Sequence, residues 1–102
     1  MTRFETFGND LYIDGMKVIR AYESVSGWYW FATEIVGKQD SIIDGKVYKD
    51  DIIYFGLVQG FTEEWGDFSK AEIELLQPQV WEIKKKNLAS AGQSRFIVLA
   101  SS

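Results

Sequence analysis

Three groups of side chains carry the chemistry open to this chain. Glu63, Glu64 and Asp67 surround a glycine turn, and carboxylate oxygens so gathered are ligands for Ca²⁺ or Mg²⁺. Their spacing is not that of an EF-hand, so the run reads as a solvated acidic turn. Glu34 closes an aromatic segment and is of a type that serves as a buried acid or base. Without a nucleophile, a metal or a second carboxylate beside it, it defines no reaction class. Lys84, Lys85 and Lys86, joined by Arg95 or Arg20, are phosphate-binding types. Set near exposed rings such as Tyr29 or Trp65, they would take single-stranded nucleic acid by stacking plus charge. A solvated basic strand end is the competing reading of the triplet.

Composition narrows the field further. The 102 residues include no Cys and no His, which removes thiolate nucleophiles, cysteine zinc sites, the commonest general base and the commonest transition-metal ligand. No enzyme activity, cofactor or metal is therefore expected. A net charge of −4 lacks the basic footprint of a non-specific duplex binder. Aromatic residues make up 16%, four of them Trp, so large rings should dominate the core and any binding face. The N-terminal MTRFETFGND has no apolar run, and Phe96 to Ala100 is too short to span a bilayer, so a cytoplasmic protein without membrane contact is expected.

These side chains must be placed by a mostly β chain. Phe4 and Phe7, three apart, suggest a single helical turn covering one end of the fold. Leu11 to Ile13 and Met16 to Val18 flank Asp14-Gly15, the pattern of a two-residue hairpin turn, with the second strand continuing toward Tyr22. Gly27 to Glu34 is a strand with Trp28, Trp30 and Ala32 on one face and Tyr29, Phe31 and Thr33 on the other. Gly37 to Asp51, with its second Ile-Asp-Gly, should form a small hairpin or a long finger, the most mobile part of the molecule. Ile52 to Gln59 is apolar on both faces and reads as the central strand, with Gly56 marking a bend or the approach of a Trp ring. A brief return strand near 64–68 leads to a helix near 70–77, with Ser69 as N-cap, Glu72 completing a capping box, Phe68 against Ile73 as a staple, and Pro78 as the stop. Val80 to Ile83 is a last core strand. The composition from Asn87 is that of a linker, ending in the β-prone tail Arg95 to Ala100.

The segments W-Y-W-F-A-T-E (Trp28 to Glu34), Y-F-G-L-V-Q-G-F (Tyr54 to Phe61) and E-x-x-G-D-F-S-x-x-E-I-E (Glu63 to Glu74) resemble a family of small uncharacterised proteins found on bacterial plasmids and phage genomes. The resemblance covers roughly half of the chain, Gly27 to Leu76, and implies no catalytic residues.

The order of elements predicts one mainly β domain over residues 1–86, a small, strongly bent antiparallel barrel of SH3-like or Sm-like kind, with 87–102 as linker and tail. An open antiparallel sheet with one packed helix is the alternative. The expected function is a non-enzymatic binding module, an accessory protein of phage or plasmid type that mediates protein–protein assembly, homo-oligomeric or with another protein. Its binding surface is expected at Trp28, Tyr29, Trp30, Trp65, Lys84, Lys85, Lys86 and Arg95, the tail pairing with an edge of its own sheet or a neighbour's. Binding of RNA or another single-stranded nucleic acid through a basic and aromatic surface is the alternative.

Overall fold

The computed structural model describes residues 2–91. Strands β1 (Phe4–Phe7), β2 (Asp10–Ile13) and β3 (Met16–Lys17) form one antiparallel sheet in that order. A second, five-stranded sheet is built from β4 (Arg20–Ser24), β5 (Tyr29–Ile43), β6 (Lys46–Gln59), β7 (Glu63–Ser69) and β8 (Val80–Glu82), in the order β7-β6-β5-β4-β8. A short helix, α1 (Lys70–Glu74), follows β7, and after β8 a 3-10 turn (Lys85–Asn87) leads into helical residues 88–91. Among the described residues, no helix is long and apolar enough to cross a membrane.

The protein is mainly β, but neither sheet closes, so the barrel expectation is corrected in favour of open sheets with a packed helix. A barrel needs its terminal strands to pair, whereas β7 and β8 end the sheet on opposite edges. The N-terminal segment supplies the reason. Phe4 to Phe7 is not a helical turn but a strand, registered Phe4 to Ile13 and Phe7 to Asp10, and it builds its own sheet. The strand expected to run from Met16 to Tyr22 breaks at Val18-Ile19, where the chain changes sheets. The Val18 N–H donates to Leu11 O, and the next N–H, that of Ile19, donates to Ala32 O in β5.

Alternation then decides the layers. Leu11, Ile13 and Val18 pack against Ala21, Phe31, Leu57 and Ile83 on one face of the large sheet. Tyr22, Ala32, Tyr54 and Val80 pack with Ile73 of α1 on the other. Both faces of β6 are covered, which is why Ile52 to Val58 is apolar at successive positions. Leu88 is also buried in the first cluster.

Local chemistry forms the elements as the spacing predicts. Asp14 (φ 50°) with Gly15 (φ 82°), and Asp44 (φ 52°) with Gly45 (φ 76°), make two tight hairpin turns at positive φ. The second turn caps a long β5–β6 finger, whose ladder shifts register between Ala32 and Glu34, Ile35 and Gly37, and Gln39 and Ser41. Ser69 caps α1, its Oγ accepting from the Glu72 N–H at 3.1 Å, and Phe68 packs against the cluster that holds Ile73. The helix ends at Glu74, earlier than expected, in a turn that carries the cis Gln77–Pro78 bond.

Candidate functional site

The strand pairing divides the expected binding residues between opposite faces. Trp28 and Trp30 lie on the helix-bearing face, half-buried, with ring centroids 6.0 Å apart. Tyr29 lies on the other face, stacked on Phe31 at 5.5 Å and 2°. Trp65 is on that second face too, stacked on Phe55 at 5.9 Å. Both pack against the first core cluster. Trp28 and Trp30 therefore do not share a surface with Tyr29 and Trp65, because a strand presents successive side chains to opposite sides. Lys84, Lys85 and Lys86 are exposed beyond β8. Arg95 and the tail lie outside the described residues.

The lysines do share space with rings. Lys84 and Lys86 line a groove of about 610 Å³ with Tyr29 and Trp81, the latter 40% exposed. Glu23 and Glu82 line the same groove, so its charge is close to balanced.

On the helix-bearing face the rings form a patch at the sheet's end. Phe61 is 95% exposed and stands edge-on to Trp28, centroids 5.3 Å apart at 81°. A Trp ring does lie over a glycine, but over Gly60, in the bend just after β6, and not over Gly56. Trp28 lies on Gly60, where an added Cβ would sit 2.5 Å from the indole. Gly56 instead faces backbone, its Cβ position only 1.9 Å from Phe31 O. Opposite Trp30 in register is Val58, and opposite Val58 is Glu64, so Trp30, Val58 and Glu64 form a row across three strands. Trp28, Val58, Gly60, Phe61, Thr62 and Glu64 enclose a recess of about 190 Å³. The glycine-bounded, aromatic-tipped turn Gly60-Phe61 was the signal available for it.

The acidic turn does not gather. Glu64 is on the face of Trp30, its carboxylate accepting from the Thr62 hydroxyl at 3.3 Å, whereas Glu63 and Asp67 point to the other face. Glu63 accepts from the Thr2 hydroxyl. Among the described residues, no three acidic side chains come together as metal ligands. Glu34 is exposed next to a bulge.

Asp51, at the end of the segment expected to be the most mobile, is 5% exposed. Its Oδ2 accepts from the Ser41 hydroxyl at 2.7 Å and from the Ser69 hydroxyl, and its Oδ1 accepts from the Ala71 N–H at 2.9 Å. Burial pushes its carboxyl up, but the hydrogen bonds from Ser69, Ser41 and Ala71, with the Lys70 charge, outweigh this and hold it below its ordinary value. Asp51 thereby ties the base of the finger to the start of α1. Nothing in local sequence signals this, because Ser41 and Ser69 come near Asp51 only through the β5–β6–β7 register. Close by, burial raises the Tyr22 and Tyr54 phenols above their ordinary value, so both stay neutral at physiological pH.

The molecule is thus a two-sheet, mainly β protein with an aromatic patch at one end of its helix-bearing face. No protein family, curated protein sequence or solved structure matches the chain.

Proposed function

We propose that this chain is a non-enzymatic binding module, an accessory protein of phage or plasmid type, that mediates protein–protein assembly through the patch of Trp28, Trp30 and Phe61. One observation carries the reading. Phe61 keeps 95% of its surface in water while two Trp rings beside it stay only half-buried. Phe61 extends the half-buried Trp28 and Trp30 into one exposed aromatic patch, and aromatic residues are enriched in interface cores. The partner is a second copy or another protein. The test is to place a photo-crosslinking benzoylphenylalanine at position 61 and, as a control, at position 7, whose Phe is 62% exposed on the other sheet. Discrete adducts are expected from position 61. Equal yields from the two positions would sink the reading.

Lys84 and Lys86, in one groove with Tyr29 and Trp81, support a second reading, in which single-stranded nucleic acid stacks on the rings and its phosphates meet the lysines. An RNA oligomer should then bind in a salt-sensitive way, and replacing Lys84, Lys85 and Lys86 by Ala should weaken it about tenfold or more. Undiminished binding by the triple variant refutes it.

A further inference from the structure

We infer that the recess lined by Trp28, Phe61 and Glu64 takes a cationic side chain, an arginine guanidinium in preference to an ammonium, presented by an extended basic segment of a partner protein. This rests on the assembly reading above and names the chemistry of its contact.

Trp28 and Phe61 touch edge to face at 81°, and both rings line the recess beside that contact. Ring faces attract cations through their quadrupole. The Glu64 carboxylate lines the same recess, no Lys or Arg does, and Glu64 forms no ion pair with any described residue. Carboxylate and ring faces together disfavour a phosphate and favour a cation. A planar guanidinium stacks on a ring and bonds a carboxylate with two N–H groups at once, which a compact ammonium does less well. At about 190 Å³ the recess falls below the ~300–1,000 Å³ usual for small-molecule sites, a size suited to the head of one side chain.

Among the described residues, Arg3 is paired with Glu5 and Arg20 with Glu82, so docking either from a second copy would break an existing pair. Two copies at −4 each also repel, whereas a basic partner is drawn in.

The ¹⁵N-labelled chain is titrated with a blocked peptide alternating glycine and arginine, and in parallel with its glutamate counterpart, while the Trp28 indole N–H is followed by NMR. The arginine peptide should shift that signal in a salt-sensitive way. Phe61→Ala should weaken binding about three- to thirty-fold. Glu64→Lys should abolish it. Phe61 and Glu64 are both exposed, so the fold is expected to survive, and unchanged thermal melts check this. Three outcomes overturn the inference: no shift at about 10 mM peptide, equal shifts with the glutamate peptide, or variants that bind like the parent. A dimer of the chain alone that Phe61→Ala dissolves overturns the choice of occupant. If position 61 still crosslinks while the arginine peptide has no effect, the assembly reading stands and the cation assignment falls.

Discussion

Gly56→Ala is expected to cost more than about 4 kcal/mol, enough to unfold much of the population of a small domain. The added Cβ would sit 1.9 Å from Phe31 O, 2.8 Å from Phe31 C and 2.9 Å from the Ala32 Cα, all backbone atoms. They belong to Phe31 and Ala32 of β5, Ala32 being the residue paired with Gly56 and the last before the register shift between Ala32 and Glu34. Relief would need β5 to move away from β6, breaking the longest ladder in the molecule and opening both core clusters that Phe31 and Ala32 join. Gly66, the partner of Gly56 on β7, is the control, since a Cβ there meets nothing within 4 Å. Gly66→Ala should cost less than about 1 kcal/mol. Urea unfolding followed by circular dichroism separates the two, and a loss below about 1 kcal/mol for Gly56→Ala would show that the bulge absorbs the clash.

The second large effect belongs to Asp51. Asp51→Ala leaves the Ser41 and Ser69 hydroxyls and the Ala71 N–H without their acceptor in a nearly closed site, and should cost about 3 kcal/mol. Ser69→Ala, which removes the cap and one of these donors, should cost about 1–2 kcal/mol. The pH dependence follows from the direction of the shift. The folded-state pKa lies below its ordinary value of 3.8, so the contribution of Asp51 is fully present above that value. It is lost as pH falls through the folded pKa. Asp51→Asn, which cannot ionise, should therefore be less stable than the parent near neutrality, with the gap closing in acid. A gap that stays constant from pH 7 to about pH 2 would show that the Asp51 charge contributes nothing.

Both effects mark how far local sequence reaches. Asp14-Gly15 and Asp44-Gly45 announce their turns because positive φ is a demand on the two residues themselves. The Ser69 cap with Glu72, and Phe68 with Ile73, are likewise contacts within one turn of chain. The opposite placement of Trp28 with Trp30, and of Tyr29 with Phe31, needs nothing beyond the period of a strand. Gly56 was recognisable as a place of close approach, yet what approaches it is the β5 backbone, while the Trp ring rests on Gly60. That assignment depends on the register between two strands, and a shift of two residues keeps every face and changes every partner.

The site shows the same division. Trp28 and Trp30 were legible as an aromatic face, and the Lys84 to Lys86 triplet as a basic one. The association of the Trp pair with Phe61 and Glu64, and of the lysines with Tyr29, was not, since each unites residues tens of positions apart.

By itself, then, the sequence determined the strand-rich class, the hairpin turns, the capped helix and the two-sided central strand, because each follows from backbone preference or from a period within a few residues. Only the tertiary structure decided that the N-terminal strands leave the main sheet to form their own, that the sheets stay open, that Asp51 is a buried clasp, and that Phe61 stands in water beside Trp28. These depend on which strands pair and in what register, and pairing is settled by the burial of whole faces against each other, a property no single stretch of the chain contains.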